Sequence, residues 1–154
     1  MDISKLISVE VDHCPYAFAP LLLNKNNEKL LVYSGDSRPC QNLVNYAKYA
    51  KLLIHEATFD DSYAQEALRK KHSTISDALK VSKKAKVEHT ILTHFSNRYS
   101  KFPPYFFDTE NVLVAFDHMR VTLKDLEWAH KMVPIYRELL FDPNEPLNTT
   151  DDSN

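Results

Sequence analysis

Histidines and carboxylates bind first-row metals and move protons near neutral pH, and in this chain they gather in short clusters. Val11-Asp12-His13-Cys14, Tyr33-Ser34-Gly35-Asp36-Ser37-Arg38-Pro39, Ile54-His55-Glu56-Ala57-Thr58 and Leu92-Thr93-His94-Phe95-Ser96 each follow an apolar run. A fifth cluster, Lys71-His72-Ser73-Thr74, precedes a helical pattern. An open α/β sheet places its chemistry beyond the carboxyl ends of its strands, so His13, Asp36 and His94 can project from one edge. Two imidazoles and a carboxylate suit zinc or another first-row metal. A carboxylate can also bridge two ions, and a two-metal site suits phosphodiester hydrolysis. Taken singly, a histidine after a strand is more often a hydrogen-bonded loop residue. Three such positions, one beside the only glycine, favour ligands.

Glu56 and His72 form a second candidate set. A glutamate at a strand end can orient an imidazole, which then donates a proton to a leaving oxygen. The competing reading makes Glu56 a surface carboxylate and His72 the residue before a helix cap. Arg38 and Arg98 can hold phosphate, with solvated arginines as the alternative. His55, His89, His118 and His130 are read as structural. Ser34 and Ser37 lie near histidines, but no Gly-x-Ser-x-Gly elbow exists to make either a nucleophile. One glycine also excludes a Walker loop and a dinucleotide fingerprint.

The elements that must position these groups follow from periodicity. Residues 6–11 alternate as a strand, and 21–23 with 30–33 form a hairpin about the polar turn 24–29. Pro39 opens a helix carrying Leu43, Val44, Ala47 and Ala50. Residues 52–54 are a short buried strand, and 60–70 a short helix. Thr74 with Asp77 resembles a capping box for a helix faced by Ile75, Ala78, Leu79 and Val81. Residues 90–92 and 111–116 are further strands, the latter paired with 119–123. Residues 102–107 are an aromatic loop, and 124–140 a helix interrupted by Pro134. The result is an α/β unit with helices on one sheet face and the other face in need of a partner.

The 154 residues suffice for one domain with a core. Hydrophobic residues make up 44% and charged residues 26%, which is a globular balance. The formal net charge of −2 removes any whole-chain basic field for nucleic acid, leaving only local patches. Gly35 stands alone where typical usage is roughly 7%, which marks a backbone requirement there: a tight turn at positive φ or a close approach. Cys14 and Cys40, without a CxxC pair, read as free thiols in a reducing compartment. No apolar run has membrane-spanning length, and the first residues read as neither signal nor transit peptide. The expectation is an intracellular chain.

Read in order, the clusters resemble ribonuclease Z, a family of metallo-β-lactamase-fold endonucleases. The matching strings are His13-Cys14-Pro15 with Ala17-Phe18, Tyr33-Ser34-Gly35-Asp36-Ser37-Arg38-Pro39-Cys40 and Leu53-Ile54-His55-Glu56-Ala57-Thr58-Phe59. Lys71-His72-Ser73-Thr74, Ile91-Leu92-Thr93-His94-Phe95-Ser96 with Arg98-Tyr99, and Val114-Ala115-Phe116-Asp117-His118-Met119 complete them. The match covers roughly residues 7–123. It implies a zinc-dependent endoribonuclease that removes the 3′ trailer from precursor tRNA. It implies His13 as a ligand of one zinc, Asp36 as the bridge, His94 as a ligand of the other, His72 as general acid and Glu56 as its orienting partner. Between His13 and Asp36 only residues 14–35 intervene, which resembles the C-terminal part of the family's long form and implies a nucleus or mitochondrion.

The family's His-x-His-x-Asp-His motif has no counterpart in this sequence. The expectation is therefore the C-terminal half of a metallo-β-lactamase-type αββα sandwich over residues 1–141, followed by an acidic disordered tail at 142–154. It is a partial catalytic domain, inactive alone, whose partners are precursor tRNA and the N-terminal half of the enzyme. The rival is a non-catalytic remnant that binds a partner protein through its uncovered sheet face.

Overall fold

The structure is a computed structural model that describes residues 2–96 and 111–140. Six strands form one sheet in sequence order: β1 (Ile3–Glu10), β2 (Phe18–Asn24), β3 (Lys29–Tyr33), β4 (Leu52–Glu56), β5 (His89–Thr93) and β6 (Val112–Val114). β1, β2 and β3 pair antiparallel, and β3 through β6 pair parallel. Two reversals return the chain to its starting direction, so β1 runs the same way as β3. The carboxyl ends of β1, β3, β4 and β5 therefore share one edge, and each candidate cluster that follows a strand opens onto it.

Crossover helices link β3 to β4 and β4 to β5, as parallel pairing favours. α1 (Gln41–Ala47) joins β3 to β4, while α2 (Ala64–Lys70) and α3 (Ile75–Ala85) lie between β4 and β5. α3 starts where Thr74 Oγ1 accepts the Asp77 N–H at 3.2 Å, so the hydroxyl caps the helix as its position predicts. α3 ends at Lys86, whose left-handed φ of 51° closes the last turn. α1 and α3 press Leu43, Val44, Ala47, Val81 and Ala85 onto Val9, Leu21, Val32 and Leu53 of the sheet. A second cluster gathers Ile75 and Ala78 with Leu92, Val112 and Leu113, and with Leu126, Ala129 and Val133.

The opposite sheet face is unevenly covered. Paired residues point the same way, which puts Leu6, Phe18, Leu22, Leu31, Tyr33 and Ile54 there. Leu6, Phe18 and Tyr33 are 61%, 49% and 39% exposed. Ile91 and Leu113, nearer the β6 edge, are buried. The expected uncovered face is present, and it is concentrated on β1–β3.

Two expectations need correction. Residues 119–123 do not form a strand beside β6. The chain leaves the sheet after Val114 and turns, with Met119 N–H donating to Phe116 O at 3.1 Å and His118 at φ 64°. The backbone N–H and hydroxyl of Thr122 are both committed to Asp125, at 2.8 and 2.7 Å, so they cannot serve a sheet ladder. Pro134 does not sever one long helix either. It sits in the first turn of α5 (Val133–Leu140), which follows α4 (Leu126–Ala129) and a 3₁₀ turn at His130–Met132. The aromatic loop at 102–107, Arg98 and the 142–154 tail lie outside the described residues. Among the described residues no helix is long and apolar enough to cross a membrane.

Candidate metal and acid–base site

β1 and β5 are four strand spacings apart, about 19 Å across a sheet at roughly 4.8 Å each. Even so, His13 Nε2 lies 4.0 Å from Asp36 Oδ2 and His94 Nδ1 lies 3.6 Å from Asp36 Oδ1. Both histidines must therefore be carried inwards along the edge. On one side, Asp12 and Arg38 form an isolated antiparallel bridge, with Arg38 N–H donating to Asp12 O at 3.1 Å. Arg38 Nε adds a 2.6 Å bond to Asp12 Oδ2. These contacts draw the end of β1 onto the segment after β3. On the other side, His94 adopts φ 62°, a left-handed conformation that is uncommon for a side-chain-bearing residue. That bend turns the chain back towards β4 once β5 has ended.

Gly35 supplies the turn that aims Asp36. Its φ is 57°, and an added Cβ would meet Phe18 O at 3.6 Å. That distance is an ordinary contact, so the requirement there is conformational and not one of space. Ser34 is fully buried beside it. Its hydroxyl accepts the Glu56 N–H at 2.9 Å and donates to Gly35 O at 2.6 Å. Ser37 Oγ donates to Arg38 O at 2.7 Å. Both serines thus support the turn, in keeping with the exclusion of a serine nucleophile.

Glu56 is the polar centre of the site, 1% exposed at the end of β4. Oε1 accepts the Ser37 N–H at 2.8 Å and His72 Nδ1 at 2.7 Å. Oε2 accepts the Thr58 hydroxyl at 2.6 Å, the Ser73 N–H at 3.1 Å and the Thr58 N–H at 3.2 Å. The surface-carboxylate alternative does not describe this residue. With Nδ1 held by Glu56, His72 has Nε2 as its free nitrogen, in a side chain 15% exposed. The His72 ring meets the His13 ring edge-on, with centroids 4.7 Å apart.

His13 donates from Nδ1 to Lys71 O at 2.9 Å, which leaves the Nε2 lone pair towards Asp36. The left-handed φ of Lys71, 57°, helps place that carbonyl. Two overlapping triads have ligand-type atoms within 4.8 Å of one another: His13, Asp36 and His72, and Glu56, His72 and His94. The donor set fits a borderline cation such as zinc, since it consists of imidazole nitrogens around a carboxylate. Arg38 is engaged by Asp12, whose other oxygen lies 3.7 Å from Lys71 Nζ. Cys14 and Cys40 are free thiols.

The remaining histidines divide by burial. His118 is exposed. His89 Nδ1 and His130 Nδ1 are buried and lack a hydrogen-bond partner among the described residues. His55 is wholly buried on the helix-covered side of β4, donating from Nδ1 to Glu56 O at 2.7 Å. Its Nε2 has no partner among the described residues. Burial holds this imidazole below its ordinary pKa, an effect partly offset by the Glu56 carbonyl and by the charges of Glu56 and Asp77. The folded chain therefore refuses a proton that the unfolded chain binds below about pH 6.5. Stability should fall as pH drops through that value, by at most about 1.4 kcal/mol per pH unit from this residue. Urea midpoints measured between about pH 7.5 and 5.5 should show a shallower decline in His55→Asn than in the unaltered chain.

Residues without an assigned role in the sequence reading complete the site. Thr58 touches Glu56, His72 and His94, and Asp12 holds Arg38. The Ser37 and Ser73 amides feed Glu56, with Ser73 Oγ donating to Ser37 O at 2.7 Å. Thr58 stands two residues beyond Glu56, just past the end of β4, where a strand's period of two, if continued, was the available signal for their shared side.

Comparisons with known proteins find relatives both in sequence and in fold. No protein-family model matches the chain. It is 41% identical over 140 residues to "Ribonuclease Z, mitochondrial" of Drosophila melanogaster, covering 87% of this chain and 18% of that protein. It is 41% identical over 147 residues to "Zinc phosphodiesterase ELAC protein 2" of Rattus norvegicus, covering 95% of this chain and 18% of that protein. Among solved structures, a long form RNase Z from yeast superimposes with a TM-score of 0.74 at 31% identity, over 88% of this chain and 19% of that one. The metallo-beta-lactamase fold protein YhfI from Bacillus subtilis shares the fold alone, with a TM-score of 0.56 at 20% identity over 71% of this chain and 46% of that one. The chain thus spans less than a fifth of the length of the curated relatives it matches.

Proposed function

The chain belongs to the ribonuclease Z family and has the metallo-β-lactamase type of fold, and from that premise we propose that it is the C-terminal part of a zinc-dependent endoribonuclease that removes the 3′ trailer from precursor tRNA. The observation that carries this reading is the convergence of His13, Asp36 and His94 beside the Glu56–His72 pair. These groups lie far apart in sequence and meet at one edge of the sheet.

In this reading His13, Asp36 and His94 would hold zinc, with Asp36 the carboxylate that both histidines share. When bound, the metal would supply Lewis acidity towards water and phosphate oxygen. As an imidazolium, with hydrogen on both ring nitrogens, His72 would donate the Nε2 proton to the departing 3′ oxygen, while Glu56 holds the ring through Nδ1–H. Arg38 and Arg98 are assigned to substrate phosphate. The names of the relatives support zinc and a mitochondrial site of action, and the nucleus is proposed as a second compartment.

Each zinc position receives one imidazole and a share of Asp36 from this chain. A zinc site normally takes at least three protein ligands. We therefore assign the remaining ligands to the N-terminal half of the enzyme, docked on the face that exposes Leu6, Phe18 and Tyr33. The same face would serve the rival reading, a non-catalytic remnant that binds another protein.

Metal analysis of the purified chain, run beside a precursor tRNA cleavage assay, tests the proposal. The expected result is little retained zinc and no cleavage alone, with cleavage restored by an N-terminal half from a family member. Two tightly held zinc ions with Asp36-dependent cleavage by the chain alone would overturn the half-site reading. Failure of complementation, with both halves folded, would favour the non-catalytic remnant.

A further inference from the structure

Thr58 makes the least expected contacts at the site. Its Oγ1 lies 2.6 Å from Glu56 Oε2, 2.7 Å from His94 Nδ1 and 3.3 Å from His72 Nδ1. We propose that Thr58 is a positioning residue that sets the tautomer of His94 and ties it to the Glu56–His72 pair. This inference extends the proposed function, because the use of the freed His94 nitrogen rests on that reading.

Hydrogen count fixes the direction of each bond. A hydroxyl has one hydrogen and two lone pairs. An ionised carboxylate only accepts, so the hydroxyl hydrogen of Thr58 points to Glu56 Oε2. The oxygen of Thr58 can then only accept at its remaining positions. His94 Nδ1, at 2.7 Å, must carry hydrogen and donate, and the lone pair of the neutral ring falls on Nε2. His72 is constrained in the same sense, because Nδ1 donates to Glu56 Oε1 at 2.7 Å. One carboxylate thereby specifies two imidazoles, His72 directly and His94 through Thr58. Both rings present Nε2 as the free nitrogen.

Backbone contacts hold the relay in register. Ala57 N–H donates to Thr93 O at 2.8 Å and Ser96 N–H donates to Thr58 O at 3.1 Å. The segment after β4 is thus laced to the segment after β5 on both sides of His94. His94 occupies a left-handed conformation; among the described residues the Thr58 hydroxyl lies within hydrogen-bond reach of its Nδ1 at 2.7 Å, while Asp36 Oδ1 stands farther off at 3.6 Å. Outer partners of ligand histidines commonly set tautomer and orientation in this way.

The test uses the whole chain with nitrogen-15 in its histidines. Long-range proton–nitrogen spectra at about pH 8, where imidazoles are neutral, report which ring nitrogen bears hydrogen. His94 should show hydrogen on Nδ1. Thr58→Val, which keeps the branched shape but loses the hydroxyl, should relax His94 to mixed tautomers. Thr58→Ser should restore the Nδ1–H form. Hydrogen on Nε2 in the unaltered chain, or a Val variant whose His94 spectrum is unchanged, overturns the proposal; the first of these needs no variant to fold. Zinc titration followed at the same resonances separates the two layers of inference. A roughly 10–100-fold weaker affinity in Thr58→Val, recovered in Thr58→Ser, supports the relay as support for a metal ligand. A changed tautomer with unchanged zinc affinity leaves the relay standing and overturns His94 as a zinc ligand.

Discussion

Glu56→Gln lowers the unfolding free energy by on the order of 3 kcal/mol, the scale of leaving buried hydrogen-bonding groups unsatisfied beside a lost charged acceptor. The native carboxylate accepts from three backbone N–H groups, one hydroxyl and one imidazole. An amide keeps one acceptor oxygen and puts a donor where the other was. Flipped one way, its NH2 faces the Ser37 amide and His72. Flipped the other way, it faces the Thr58 and Ser73 amides and the Thr58 hydroxyl. Neither orientation satisfies all five donors, and at 1% exposure water is poorly placed to help. Urea unfolding of both chains, analysed with a shared m-value, measures the difference. A loss below about 1 kcal/mol, the scale of one ordinary hydrogen bond, would mean that the network around Glu56 relaxes far more easily than its geometry suggests.

The second large effect is on chemistry. In enzyme reassembled from this chain and a complementing N-terminal half, His72→Ala should slow precursor tRNA cleavage by roughly 10²–10⁴-fold, the range for losing a positioned proton donor. Zinc content should stay unchanged and KM should move little, because a general acid acts in the transition state. Loss of zinc in step with activity would instead make His72 a metal ligand, a role that its nearness to His13 and Asp36 offers. The double variant with Glu56→Gln should lose little more than His72→Ala alone if the two act as one unit.

Much of this site was legible because its residues follow strands. Asp36, Glu56 and His94 each come just after a short apolar run, and short runs bounded by polar residues read as strand ends. The need for a left-handed residue at Gly35 was legible from composition. What sequence could not supply was the inward travel of His13 and His94. That travel depends on the Asp12–Arg38 bridge and on a left-handed histidine, a conformation that no periodicity announces. Thr58 stood inside a recognised string yet had no assigned role, because its value lies in a contact 36 positions away. The misplaced strand at 119–123 has a local cause: Val121 and Leu123 supply a β-like pattern, while the Thr122–Asp125 bonds compete for the backbone. β1 begins earlier than the pattern suggested, since one of its faces is exposed and Ser4 and Lys5 blur the alternation.

The four strand ends that meet at this edge also work as a mechanical assembly, with tolerances that add. From His13 to His94 the position of each ring passes through four hydrogen-bonded interfaces, each with its own register and twist. A one-residue slip at any of them would carry a side chain to the opposite sheet face. The aperture of the site is therefore gauged by the backbone ladder of β1–β5 together with the ties, Asp12 to Arg38 and Ala57 to Thr93, that brace its ends. Substitutions that loosen β2 or β3, remote from every reacting group, should widen that aperture and detune the chemistry before they unfold the chain.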